Sequence, residues 1–72
     1  MNRHHFISRD GEARLRYLDA DYHVLVPGSY VICAVTGRRI SLADLRYWSV
    51  DRQEPYADAE ASLNRELSVR RS

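Results

Sequence analysis

The chain has no lysine, one cysteine, one tryptophan and one phenylalanine among its 72 residues, with three glycines and two prolines. Each shortage narrows what the protein can be. A single cysteine, Cys33, excludes an internal disulfide, and an unpaired thiol suits a reducing compartment. No segment approaches the run of about 18 apolar residues that a membrane-spanning helix needs. The opening segment, MNRHHFISRDGE, lacks the apolar centre of a secretory signal, so a cytoplasmic location is expected. Eleven basic residues, all arginine, face ten acidic ones, for a net charge of +1. That balance supplies no global field to draw in nucleic acid or an anionic membrane. No internal repeat, linker or low-complexity segment is visible.

What is present is one small domain's worth of pattern. Hydrophobic residues make up 44% and charged residues 29%, ordinary globular values. Domains this short often need a metal, a disulfide or a second chain to complete their core. Residues 1–11 are polar and end in an Asp-Gly turn signal, which predicts a flexible N-terminal tail before a single β-rich domain over 12–70. His4 and His5 lie in that tail.

From Glu12 the residues alternate. Ala13, Leu15 and Tyr17 share one face and Arg14 and Arg16 the other, predicting a half-buried strand. After a turn at 19–21, YHVLV predicts a second strand with Tyr22, Val24 and Val26 on one face and His23 and Leu25 on the other. Pro27-Gly28 fits the centre of a type II turn, and SYVICAV is apolar on both faces, as in a central strand. These three predict an antiparallel meander. Thr36-Gly37 turns the chain, and Arg38-Arg39-Ile40 can pair back. Ser41 stands three residues before Asp44, predicting a short helical turn near 41–45. RYWSV is again β-favouring, with Trp48 expected to anchor the core. DRQEPYA reads as a loop, and Asp58 as the cap of a C-terminal helix of about ten residues. That helix has a narrow apolar stripe, Ala59, Leu63 and Leu67, which must lie on the sheet or on a partner. The fold class is α+β: an antiparallel β-meander of three to five strands, a short helical turn and a C-terminal helix.

The stretch Cys33-Ala-Val-Thr-Gly37 has the shape of one zinc-ribbon knuckle, C-x-x-C-G, with Thr36 in place of the second cysteine. A structural zinc site needs four ligands. The chain offers Cys33 and His23, with His4 and His5 in the tail and carboxylates besides, but the spacing supplies no third ligand at the turn, so no metal or other cofactor is expected. A Cys33–His23 nucleophilic pair would need a third group to orient the histidine. A two-sided apolar strand is also a poor place for a thiolate. No phosphate loop, zincin motif or other catalytic constellation is visible, and no enzymatic activity is expected.

Several strings together resemble a known family: Tyr17-Leu18-Asp19, Val26-Pro27-Gly28, Cys33-Ala34-Val35-Thr36-Gly37, Leu45-Arg46-Tyr47-Trp48-Ser49-Val50, and Gln53-Glu54 with Tyr56. They are similar to a family of short, mainly alphaproteobacterial proteins catalogued as domain-of-unknown-function family 2093. The resemblance covers roughly residues 12–63, with Ala20 where the family pattern has a glycine. It implies a bacterial, cytoplasmic, β-rich protein with a C-terminal helix, and carries no assigned activity.

Two functional readings are then open. A thin core, a narrow helix stripe and five tyrosines suit a non-enzymatic interaction module, a homodimer that binds another protein. Its surface would draw on Arg14, Arg16, Arg38, Arg39, Tyr47, Gln53, Glu54 and Tyr56. The alternative is a nucleic-acid-binding module with a degenerate zinc-ribbon-like knuckle, its arginines on phosphate and an aromatic ring on a base. A metal role for Cys33 and His23 is the lesser alternative. The segment from Gln53 to Tyr56 can serve as a polar binding site or brace the loop and final helix.

Overall fold

A computed structural model describes residues 11–71. The expected tail, apart from Gly11, lies outside the described residues, and so do His4 and His5. Six short strands and one helix follow in order. They are β1 (Arg14–Tyr17), β2 (Tyr22–Val26), β3 (Tyr30–Ile32), β4 (Arg39–Ser41), β5 (Tyr47–Ser49), β6 (Glu54–Tyr56) and α1 (Ala59–Arg71). A single 3₁₀ turn, Leu42–Asp44, joins β4 to β5. The class is α+β with antiparallel pairing, as the sequence pattern predicts.

The connectivity differs from a meander. β1 pairs with β2, β3 with β4 and β5 with β6, giving three separate two-stranded sheets. β2 and β3 are not neighbours. Pro27-Gly28 is therefore not a hairpin turn, and Gly28 does not adopt the left-handed conformation a type II turn requires. Its missing side chain has a different use. A Cβ there would lie 2.4 Å from the Ala13 nitrogen and 2.5 Å from the Gly11 oxygen, so only glycine lets the chain before β1 pass this close.

β1 keeps its alternation: Leu15 and Tyr17 are buried, Arg14 and Arg16 exposed. β2 does not follow the expected alternation. Its register slips opposite Arg14 and Leu15, and Val24 and Leu25 are exposed, because no second layer among the described residues covers this strand. SYVICAV is likewise shorter than expected: β3 stops at Ile32 and the chain turns at once. Residues 54–56, expected in a loop, pair with β5 instead. Pro55 is tolerated because β6 is an edge strand in its own sheet, where no N–H is needed outward.

The three hairpins share one core of Ala13, Leu15, Tyr17, Val31, Cys33, Ile40, Leu45, Tyr56 and Ala61. Few backbone bonds stitch them together. Ala13 N–H donates to the Tyr30 carbonyl (2.7 Å) and Ala34 N–H to the Pro55 carbonyl (3.0 Å). Trp48 is half-buried and works at the seam, while the side chain enclosed at the centre is Tyr56. The Trp48 indole donates to the Leu18 carbonyl at 2.7 Å, with its ring 5.9 Å from both Tyr17 and Tyr22. This ties the first hairpin to the third.

Both predicted caps are present. Ser41 Oγ accepts from Ala43 N–H (3.3 Å) at the 3₁₀ turn, and Asp58 Oδ1 from Ala61 N–H (2.8 Å) at α1. The helix runs two residues beyond Val69, the end its pattern suggests.

Candidate functional site

The knuckle is built by the β3–β4 connection. Cys33 N–H donates to the Arg38 carbonyl and Gly37 N–H to the Cys33 carbonyl. Gly37 has φ 76°, open on the side a Cβ would occupy, so glycine is needed there for conformation and not for space. The Cys33 sulfur accepts from the backbone N–H groups of Val35 (3.4 Å), Thr36 (3.3 Å) and Ala57 (3.3 Å). Burial pushes the thiol up, and the bonds from Thr36, Val35 and Ala57 outweigh it, leaving Cys33 below the ordinary thiol range. Thr36 does not substitute for a ligand: its Oγ1 accepts from Arg38 N–H (3.2 Å). Cys33 is only 2% exposed and sits in a turn, not in a central strand. His23 is on the exposed β2, in a different hairpin, so the expected strand adjacency of the two does not occur. Among the described residues no three His, Cys, Asp or Glu side chains are grouped to hold a metal. The sulfur acts as an acceptor that fastens the turn to the start of the segment leading into α1.

Gln53, Glu54 and Tyr56 form one internal brace. Gln53 has φ 54°, and its carboxamide behaves like a strand partner for Tyr17. Its oxygen accepts from Tyr17 N–H (2.9 Å), and its nitrogen donates to the carbonyls of Tyr17 and Val50, both at 2.8 Å. Glu54 receives the Arg65 guanidinium as a fork, at 3.1 and 3.0 Å, and the Tyr56 hydroxyl at 3.0 Å. Arg52 donates to the Tyr56 hydroxyl (3.2 Å) and to Glu66 (3.1 Å). The Tyr56 bond comes first, and the Glu66 bond second, in holding Arg52 above its ordinary pKa. Tyr56 is 1% exposed and so presents no surface to a partner. Sequence reasoning missed Arg52 and Arg65; Arg65 lies 11 residues from Glu54 and Arg52 lies 14 from Glu66, which leaves no local signal.

The four arginines proposed for a surface divide between two hairpins. Arg14 and Arg16 are exposed on β1, while Arg38 and Arg39 belong to the second hairpin. Arg39 lies over the Tyr30 ring at 4.5 Å, a cation–π contact within that hairpin. Tyr47 is exposed on β5.

The helix shows the most informative surface. It docks on β5 and β6 through Ala61, whose small side chain allows close approach, and through the arginine–glutamate network. The apolar stripe points the other way: Leu63 is 57% and Leu67 46% exposed. At 100° per residue, Glu60, Leu63, Leu67 and Arg70 fall on one face, and all four are exposed. No helix among the described residues is long and apolar enough to cross a membrane.

The profile of a family described as an uncharacterized protein conserved in bacteria, DUF2093, matches residues 24–65, more than half of the chain. The chain belongs to this family. Within DUF2093 the matched region runs from β2 to the middle of α1, so it takes in the knuckle, the brace and Leu63. No curated protein and no solved structure matches the chain.

Proposed function

We propose that this DUF2093 protein is a small, non-enzymatic interaction module of the bacterial cytoplasm that works as a homodimer through α1. The observation that carries the reading is the outward face of that helix. Its leucines are exposed although the helix docks on the third hairpin, so the docking is done by the opposite, mostly polar side. A second copy fits this face because the face is self-complementary. In an antiparallel pair centred on residue 65, Leu63 meets Leu67 of the other chain and Glu60 meets Arg70. The Glu66–Arg70 pair within the helix is 3.6 Å apart and well exposed, which leaves Arg70 able to change partner at little cost. A 13-residue helix is about 20 Å long, so the contact is at the small end of specific interfaces and the dimer is reversible. The closed thiol of Cys33 supports a non-enzymatic role.

Sedimentation equilibrium from 10 µM to 1 mM tests it. A monomer–dimer equilibrium is expected, weakened at least tenfold by Leu67→Glu with little loss of thermal stability, since Leu67 is 46% exposed and lies outside the buried core. Glu60→Arg should weaken the dimer, and Glu60→Arg with Arg70→Glu should restore it. A strictly monomeric wild-type chain at 1 mM would end this reading.

A further inference from the structure

A cleft of about 210 Å³ opens between β1 and β3, lined among others by Ala13, Leu15, Val31, Ile32, Gln53 and Pro55. The two strands begin together at a parallel bridge between Glu12 and Tyr30, then separate. Their hydrogen-bonding parity shows what faces the gap. Leu18 N–H bonds the Asp21 carbonyl across the first hairpin, so Arg14 and Arg16 turn their backbone groups toward β2. Ala13, Leu15 and Tyr17 turn theirs outward. Ala13 is bonded to Tyr30, and Tyr17 is filled by Gln53. Leu15 lies between them, and no hydrogen bond from a described residue reaches it on that edge.

β3 repeats the arrangement. Cys33 N–H bonds Arg38 across the second hairpin, so Tyr30, Ile32 and Ala34 face away from β4. The Tyr30 carbonyl is taken by Ala13 and the Ala34 N–H by Pro55, leaving Ile32 between them without a partner on that edge among the described residues. Each wall therefore has one empty rung between two filled ones. The third hairpin holds the walls apart, with Gln53 against β1 and Pro55 against β3.

We infer that this cleft receives an extended peptide, which adds a strand between β1 and β3 and turns two of the separate sheets into one. The N–H and C=O of Leu15 and of Ile32 have no hydrogen-bond partner there among the described residues. A simple anion would use only the two donors, whereas a peptide strand uses donors and acceptors on both edges. The slot between the Glu12–Tyr30 bridge and Gln53 accommodates about three residues at about 3.3 Å each. Alternation sets the side chains. Those pointing inward meet the Leu15 and Val31 level of the core and are apolar. Those pointing outward stand beside Arg14 and Arg16, which are exposed and make no ion pair among the described residues, and are acidic. Glu12 lies at the closed end, which confines the acidic preference to the rungs beyond it. The ligand is thus a protein segment of alternating apolar and acidic residues. This site is separate from the helix face and does not depend on dimerisation.

A chain of 72 residues is accessible to chemical synthesis, so the Leu15 nitrogen can be methylated. That N–H has no partner among the described residues, and the methyl group would project into the slot. The probe is a phage-displayed heptapeptide library panned on the full chain, followed by the selected peptide in free form. Selected peptides are expected to alternate apolar and acidic residues and to slow amide exchange at Leu15 and Ile32 at least tenfold. N-methylation of Leu15 should weaken their binding at least tenfold, and Arg14→Glu should do the same for acidic sequences. Sedimentation on the same samples reports the dimer independently. Failure to select any peptide, equal binding to the N-methylated chain, or protection of the helix in place of Leu15 and Ile32 would overturn the proposal. Should the N-methylated chain misfold, judged by Trp48 fluorescence, the exchange rates at Leu15 and Ile32 in the unmodified chain decide the matter alone.

Discussion

At the scale of single residues, Gln53 carries more than its position in a surface turn suggests. It holds a left-handed backbone, which costs a non-glycine residue on the order of 1 kcal/mol, and repays it with three hydrogen bonds. Two substitutions separate these contributions. Gln53→Ala removes the bonds and keeps the strain, and is expected to destabilise the fold by about 2–3 kcal/mol. Gln53→Gly removes both, so urea unfolding should find it about 1 kcal/mol more stable than the alanine variant. Equal stabilities would mean that the backbone at 53 relaxes freely once the carboxamide is gone. Gln53 could be singled out in the sequence as a residue that braces or binds, because a polar residue before Glu-Pro in a turn has few other uses. Its partner could not, since Tyr17 is 36 residues away. The same limit applied at Cys33. Its knuckle-like turn was visible in the C-x-x-T-G spacing, but the donor from Ala57, 24 residues on, was not.

At the scale of elements, local chemistry was legible and pairing was not. Ser41 and Asp58 announce their helical turns because a cap acts within three residues. The alternation of β1 is equally local. β2 and β3 went astray together: Pro27-Gly28 looks like a hairpin turn, and only the approach of Gly11 and Ala13 to Gly28 reveals its other purpose. The helix stripe was also plain in the sequence, but which side docks is decided by Arg52, Glu54, Arg65 and Glu66. Since the docking is largely ionic, it should be separable from the rest of the fold. Glu54→Gln leaves the Arg65 fork without its carboxylate and is expected to cost about 1–2 kcal/mol. Amide exchange should accelerate along residues 62–70 more than in β1 and β2. Uniform acceleration would mean that the helix and hairpins open as one unit.

At the scale of the whole molecule, three small sheets meet with few backbone bonds between them, so the side chains at their junctions decide whether the parts stay together. Tyr17 is the chief of these. It belongs to the first hairpin, its backbone is held by Gln53 of the third, and its ring lies against Trp48. Burial, then Glu12 and Tyr22, push its phenol up to about 12 from an ordinary value of 10.0. Below pH 10 the folded and unfolded chains both keep this proton, and the group makes no difference to stability. Between pH 10 and about 12 only the unfolded chain releases it, so unfolding becomes coupled to proton loss and stability falls as pH rises. Above that range no further loss is due to Tyr17. Tyr17→Phe retains the ring and removes the proton. Its melting temperature should therefore decline less than that of the parent chain across this window, with the two curves parallel below pH 9. Parallel curves throughout would show that the phenolate finds water without parting the hairpins, and that the seam between the first and third is looser than the Gln53 and Trp48 contacts imply.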